Sequence, residues 1–346
     1  MGKIIPVTMQ DIADAVGLSQ STVSLALRNH PRIPEATRER IAKTASEMGY
    51  QSNAPISTLM ARIRANRPIE QHATIAAITS HLADQKRRHK PAFHANWKGA
   101  KKRARQLGYQ LEEFALDREG MTATRLGDIL KARHIEGIIV FPFFPPGKLD
   151  LPWEHFSSVT IGYNLTEPKI NRVSADQYGA MKTAIDQLRS RGYQRPGMVV
   201  DAQLNDRNER RWMSPFCGYE FNRDTNLKES ILLINGKDAT GFRHWLDTYR
   251  PDVIIGCGML PIRKWIESHG LCIPKDIGLI GISDAFFYTQ DCAYVNENQA
   301  LVGSAAIDQV VAELQRNERG IPKQRTELFM PGQWVDGDTL HPSSIK

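Results

Sequence analysis

The chain has 346 residues, 41% of them hydrophobic and 24% charged, and carries a formal net charge of +7. Those values describe a globular chain long enough for a small module plus a two-lobed body, and they exclude a disordered or membrane one. No apolar run reaches the length that spans a bilayer, and the excess of positive charge agrees with a nucleic-acid partner. The start, MGKIIPVT, lacks a signal-peptide hydrophobic region and runs straight into a helix, which predicts a cytoplasmic protein. Thr8 can cap that first helix, Met9 to Val16, in which Ile12, Ala13 and Val16 share one face. Gly17-Leu18 supplies a tight turn, and Ser19 caps a second helix running to about Arg28. Val23, Ala26 and Leu27 face inward on it, while Gln20, Ser21, Thr22 and Ser24 project outward. Short polar side chains on such a face suit base edges and phosphates. A third helix from Glu35 to Met48 backs the pair, which gives the geometry of a major-groove reader.

The run T-x-x-D-I-A-x-x-x-G-x-S-x-x-T-V-S from Thr8 to Ser24, T-R-E-R-I from Thr37 to Ile41, and G-Y-x-x-N from Gly49 to Asn53 resemble the headpiece of the LacI/GalR family of bacterial transcription regulators. The resemblance implies base contacts from Gln20 and Ser21. It places Leu25 where most members carry an arginine, so guanine recognition is not expected there and a thymine methyl is the better fit. Thr8, Ser19, Thr22, Ser24, Thr37, Tyr50 and Asn53 match positions that clamp phosphates, and Arg28 joins the DNA-binding set. Residues 1–53 are thus expected to form the DNA-binding headpiece. Residues 54–68 correspond to a hinge helix in which Leu59 is the wedge inserted between base steps of the minor groove. The usual A-R-x-L pattern is absent, and an ordinary interdomain linker is the competing reading.

From Ala73 onward apolar strands alternate with amphipathic helices: ATIAAIT, a helix from Ala95 to Leu107, YQLEEFAL, a helix from Arg125 to Arg133, IEGIIVF and SVTIGY. The alternation recurs with a helix from Gly179 to Arg191, then PGMVV, SILLI, Phe242 to Thr248, DVIIG, Pro261 to His269 and GLIGI. A late helix, Leu301 to Leu314, and a single final strand, TELFMPGQWV, return to the lobes. The fold class is therefore α/β: an all-α headpiece and a core of two doubly wound parallel-sheet lobes, similar to the periplasmic-binding-protein-like core of the same family. The core is expected over residues 69–346, with lobe one at about 69–170 and 296–323, and lobe two at about 171–295 and 324–340.

A small-molecule effector, a sugar or sugar derivative by the resemblance, is expected between the lobes at the carboxyl ends of the strands. The candidate lining residues are Phe93, Phe141, Arg211, Trp212, Cys257 and Ser283. Several depart from the family: Cys257-Gly258 stands where many members have Asn-Asp, and Arg211 is displaced upstream of Gly218. Nine basic residues and no acidic ones lie between Lys86 and Arg105 (Lys86, Arg87, Arg88, Lys90, Lys98, Lys101, Lys102, Arg103, Arg105), which raises an anionic effector such as a uronate against the plainer reading of a solvated helix face. Cys217, Cys257, Cys272 and Cys292 form no C-x-x-C pair, so neither a disulfide framework nor a metal site is expected. No G-x-S-x-G elbow, P-loop or G-x-G-x-x-G is present, and no catalytic residue or cofactor is assigned. The resulting expectation is a homodimeric, effector-controlled DNA-binding regulator, most often a repressor in this family. The alternatives are a constitutive DNA binder with a degenerate pocket and, less well supported, a solute-binding protein, which would need a signal peptide and no headpiece.

Overall fold

In a computed structural model the described residues are 7–27, 33–50, 73–80, 91–116, 120–143, 145–218, 229–235, 241–258, 260–282 and 291–342. The chain divides into two compact units, Met1–Gln71 and His72–Lys346. No described helix is long and apolar enough to cross a membrane.

The described residues of the first unit form α1 (Met9–Val16), α2 (Gln20–Ala26) and α3 (Glu35–Glu47). Their packing follows from the 3.6-residue period, which brings Ile12 and Ala13, Val23 and Ala26, and Ile41 and Ala45 into one buried cluster. Gly17 ends α1 at φ +67°, a left-handed conformation that a side chain would oppose, and this turns the chain toward α2. The second helix stops at Ala26 with Leu27 as its cap, slightly short of the expected end. Arg28, Asn53, and the whole of 54–68 including Leu59, lie outside the described residues.

The second unit contains two six-stranded sheets, each beginning a lobe of its own. The first carries β1 (Ala73–Ser80), β2 (Tyr109–Leu116), β3 (Gly137–Val140), β5 (Ser157–Ile161), β7 (Asn171–Ala175) and β13 (Glu327–Met330), all parallel, in the order β13-β7-β5-β3-β1-β2. Two short strands, β4 (Gly147–Lys148) and β6 (Leu165–Glu167), pair beside it. The second sheet has the order β14-β12-β11-β10-β8-β9, built from β8 (Pro196–Asp201), β9 (Ile231–Ile234), β10 (Val253–Cys257), β11 (Gly278–Ile282), β12 (Ala293–Asn296) and β14 (Gln333–Val335). Among the described strands of this sheet, only β14 runs antiparallel to its neighbour. Strands such as Val253–Cys257 and Gly278–Ile282 are buried along their full length, as parallel strands covered on both faces must be.

Helices α4 (Pro91–Gln106), α5 (Ala123–Ala132) and α11 (Gln299–Arg316) cover the first sheet, while α6 (Gln177–Ser190), α7 (Ala202–Arg207), α8 (Met213–Gly218), α9 (Phe242–Tyr249) and α10 (Ile262–Ser268) serve the second. The close crossing of α4 and α11 depends on glycine: a Cβ on Gly303 would lie 2.0 Å from the Asn96 carbonyl oxygen. That approach seats Asn96 against Gln299, to whose Oε1 its Nδ2 donates at 3.0 Å.

The lobe boundaries differ from those expected. Asn171–Ala175 belongs to the first sheet, not to lobe two, and so does Glu327–Met330. The single final strand is two strands in two sheets, separated by Pro331 and Gly332. Proline lacks the N–H that a continuous ladder needs, and a Cβ on Gly332 would crowd Val295 and the Asn296 carbonyl oxygen at 3.0 and 3.1 Å. The chain therefore crosses between lobes three times: after Ala175, between Asn296 and Gln299, and between Met330 and Gln333.

Candidate nucleic-acid interface and effector cleft

The N-terminus of α2 is held by a side-chain cap. Ser19 takes the cap position in extended conformation, and its Oγ accepts from the Thr22 backbone N–H at 3.2 Å. The same oxygen is 2.8 Å from both Ser21 Oγ and Thr22 Oγ1, so three hydroxyls cluster over the first turn. Gln20 and Ser21 are exposed there, with no core contact to hold them back from a ligand. Thr8 caps α1 in a reciprocal arrangement: its Oγ1 accepts from Asp11 N at 3.3 Å, while Asp11 Oδ2 accepts from Thr8 N at 2.7 Å. Those hydrogen bonds hold the Asp11 carboxyl below the usual carboxylate range.

Thr22, Ser24, Leu25 and Thr37 are half-buried, as is Tyr50, which packs against the helical core and donates its backbone N–H to Ala45 O at 2.8 Å. Positions expected to touch phosphates thus double as caps and packing residues. Two helix N-termini with aligned N–H groups and hydroxyls form a surface suited to anionic oxygen.

The core offers a cavity of about 440 Å³ at the carboxyl ends of both sheets. From lobe one come Phe93 and Asn96 on α4, Tyr163 and Asn164 after β5, and Ser174 at the end of β7. Lobe two supplies Asp201 at the end of β8, Arg207 and Asn208 at the end of α7, and Glu297 after β12. Gln177, Gln203, Trp212 and Gln299 add to the polar and aromatic lining. Placement at strand ends is what a parallel α/β sheet imposes on a binding cleft.

The cleft combines apolar faces with fixed polar groups. Trp212 is buried, and its Nε1 donates to Glu297 Oε1 at 3.2 Å across 85 residues of sequence. Burial pushes the Arg207 pKa down, and the negative charge of Asp201 opposes that shift. Asn96 Oδ1, Tyr163 Oη and Gln177 Oε1 are buried with no hydrogen-bond partner among the described residues. Orphaned polar atoms are costly unless a bound molecule or water satisfies them, so their convergence on one cavity makes it the candidate binding cleft.

Of the six expected effector residues, Phe93 and Trp212 line this cavity. Phe141 does not: it is fully buried behind Phe93, with ring centroids 5.7 Å apart, and supports that ring instead. Cys257 is likewise fully buried beneath the cleft, and burial raises its thiol pKa well above the usual value; its neighbour Gly258 is the lining residue. Arg211 points away from the cavity, stacking over Phe329 at 4.2 Å and reaching Glu209 and Glu327 at 3.7 and 3.8 Å. Ser283 lies outside the described residues.

The described half of the basic run is not in the cleft either. Lys98, Lys101, Lys102 and Arg105 are exposed on α4, and Arg103 pairs with Asp308 of α11 at 2.6 Å. Lys98, Lys101, Lys102 and Arg105 stand at i, i+3, i+4 and i+7, one outward face of an amphipathic helix, which explains this placement. Lys86, Arg87, Arg88 and Lys90 lie outside the described residues.

Asp201, Arg207, Asn208, Glu297 and Gln299 escaped the sequence reading. The signal for Asp201 was available, since it is the first polar residue at the carboxyl end of an apolar strand, in PGMVVD; Glu297 follows Asn296 just past the end of AYVN and is less plainly marked. Arg207 and Asn208 sit on a six-residue helix too short to announce itself by period.

Comparison with known proteins supplies the context for both surfaces. Residues 8–53 match the model of bacterial regulatory proteins of the lacI family, and residues 185–340 match that of the periplasmic binding protein-like domain. The HTH-type transcriptional regulator PtxS of Pseudomonas putida is 24% identical over 291 residues, covering 82% of this chain and 81% of that protein. The HTH-type transcriptional repressor CytR of Escherichia coli K12 is 24% identical over 314 residues, 82% of each chain. Among solved structures, a transcriptional regulator CelR–cellobiose complex aligns over 96% of this chain and 99% of its own, with a TM-score of 0.56 at 18% identity. The lac repressor dimer bound to operator and the anti-inducer ONPF aligns over 97% and 99%, with a TM-score of 0.52 at 18% identity.

Proposed function

The chain belongs to the LacI/GalR family of bacterial transcription regulators, and we propose that it represses transcription under the control of a neutral, hydroxyl-rich small molecule bound between its core lobes. The observation that carries the ligand reading is the cavity of about 440 Å³ with three buried, unpartnered polar atoms, Asn96 Oδ1, Tyr163 Oη and Gln177 Oε1. Such a lining supplies directional hydrogen bonds around a carbohydrate-sized molecule, and Phe93 and Trp212 offer apolar ring faces. The bound cellobiose of the CelR structure supports a sugar-sized occupant. Asp201 and Glu297 in the same lining disfavour an anion, since Arg207 is the one cation beside them among the described lining residues.

Operator DNA is read by α2, with Gln20 and Ser21 toward base edges and Thr8, Ser19 and Thr22 toward phosphates. One headpiece reads a half-site, so a homodimer on a palindromic operator follows. The activity is binding and its modulation, with no enzymatic step and a cytoplasmic place of action.

Selection of bound sequences from a random DNA pool by the full chain tests the DNA half. Enrichment of paired, inverted half-sites is expected; a pool that stays random at moderate ionic strength, with and without small molecules, removes the reading. Calorimetric titration with cellobiose, glucose and glucuronate tests the ligand half. The neutral sugars are expected to bind more tightly than the uronate, and the reverse order overturns the neutral-ligand assignment.

A further inference from the structure

Beside the cleft, one buried cation draws side chains from both lobes. Arg172, on β7 of lobe one, keeps only 4% of its side chain exposed. Its Nη1 donates to Glu209 Oε1 at 3.2 Å and lies 3.3 Å from Glu327 Oε1 of the same lobe. Glu209 belongs to lobe two, in the turn between α7 and α8. Arg211, from the same turn, crosses in the opposite sense: it stacks over Phe329 of β13 at 4.2 Å and approaches Glu327 at 3.8 Å. Arg325 of lobe one closes the group, reaching Glu327 and, at 3.9 Å, Glu209.

Two features connect this cluster to the cavity. The Arg172 guanidinium sits 4.3 Å from the centroid of the Tyr163 ring, and Tyr163 lines the cleft with its hydroxyl unpartnered among the described residues. In the turn itself, the residues alternate in destination: Asn208 and Trp212 line the cavity, whereas Glu209 and Arg211 enter the ion cluster. Glu209 and Arg210 adopt φ of 56° and 57°, a region that consecutive non-glycine residues seldom occupy. A turn held in such a conformation needs strong partners, and Arg172 and Arg210's own partner Asp206 provide them.

We propose that Arg172 and Glu209 form an interlobe pin that positions Tyr163 in the cleft and ties occupancy of the cleft to the angle between the lobes. Arg172 and Glu209 are positioning residues, since neither lines the cavity. A buried guanidinium that loses one carboxylate is left partly uncompensated, so opening the lobes carries an electrostatic penalty. A ligand that moves Tyr163 or the Asn208–Trp212 turn must shift the same pin, which supplies the differential contact that coupling requires. The role in ligand response rests on the proposed effector cleft; the pin itself does not.

The test therefore needs no ligand. In the full chain, spin labels are placed on native Cys272, which is exposed in lobe two, and on Lys131→Cys in lobe one, with Cys217→Ser to remove the half-buried thiol. Dilution with unlabelled protein leaves only intramolecular distances. Glu209→Gln is expected to raise the population of longer interlobe distances about tenfold, and Glu209→Asp to restore part of the shorter population. Thermal melting confirms that each variant is folded, which the half-exposed position of Glu209 permits. In protein carrying 3-fluorotyrosine, the Tyr163 resonance, assigned by its loss in Tyr163→Phe, is expected to move in Glu209→Gln. Unchanged distances in Glu209→Gln overturn the pin, and so does equal opening in the Asp and Gln variants, which would show that charge is not what holds it. An unmoved Tyr163 resonance overturns the positioning role. These failures leave ligand binding in the cleft standing, and failed calorimetry leaves the pin standing.

Discussion

The headpiece and the cleft solve recognition in opposite ways. In the headpiece, the residues offered to a partner lie within a few positions of one another, on the first turn of α2, because a helix places neighbours in sequence side by side in space. In the cleft, adjacent partners are far apart in sequence: Trp212 meets Glu297, and Asn96 meets Gln299. The cleft residues are delivered by several strands and helices drawn from both lobes, so the site exists only when both sheets are complete. A local site tolerates loss of distant structure, while an assembled one does not.

The largest expected effect tests the assembled site. Trp212→Ala removes a buried ring and leaves Glu297 without its indole donor, at a cost of about 3–5 kcal/mol to the core. Urea unfolding should show that loss, and calorimetry should show ligand binding abolished. Trp212→Phe keeps the ring and removes only the N–H, for a smaller loss of about 1–3 kcal/mol. If the two variants behave alike, the Trp212–Glu297 hydrogen bond rather than ring packing dominates.

Ile12→Ala makes the matching cut in the headpiece. Ile12 is fully buried in a cluster of six small and medium apolar residues, and its truncation costs about 2–5 kcal/mol. A core this small has little reserve, so DNA binding should be lost in electrophoretic or anisotropy assays. Calorimetric ligand binding by the core should be unchanged; a parallel loss there would contradict the independence of the two units. Within the DNA surface, Gln20→Ala is expected to cost about 1–3 kcal/mol at one base pair of the operator and relax the preference there. The dependence of affinity on salt should keep its slope, because no phosphate contact is removed. A changed slope with unchanged base preference would reassign Gln20 to the backbone.

The same contrast explains how much could be read in advance. The headpiece helices were legible almost to the residue, since caps at Thr8 and Ser19 and the left-handed Gly17 are local signals. Most core strands were legible as apolar runs, as in Val253–Cys257 and Gly278–Ile282. Asn171–Ala175 was not, because NRVSA holds a single large aliphatic residue and is a strand only through its pairing with β5 and β13. Its misplacement shifted the lobe boundary. Cleft residues were the least legible: Arg211 and Trp212 are neighbours, yet one turns into the ion cluster and the other into the cavity. No periodicity distinguishes them, since the turn that separates their directions depends on left-handed backbone at Glu209 and Arg210.

The smallest predicted effect is one of sign, and it separates the two units by pH. Asp11 in the headpiece has a folded pKa below its usual 3.8, because the Thr8 backbone N–H and hydroxyl favour the charged carboxylate. Its contribution is therefore present above 3.8 and is lost as pH falls through the lower folded value. Glu313 in α11 shows the opposite behaviour. Burial raises its pKa above the usual 4.5, even though Ser158 N, Asn171 Nδ2 and Gln309 Nε2 donate to it at 3.0, 2.8 and 3.0 Å. The folded core holds that proton more tightly than the unfolded chain, so this group adds stability as pH falls toward 4.5 and loses it as pH rises through the folded value. Melts of Asp11→Asn should flatten the acid loss of the headpiece alone, and melts of Glu313→Gln should flatten the mild-acid gain of the core alone. The headpiece carboxylate is held by a local capping box, whereas the core carboxylate is met by two strands brought to it from 142 and 155 residues away. If both variants shifted the melt in the same direction with pH, local capping and tertiary enclosure would not be acting on these carboxylates in the opposed senses that their surroundings require.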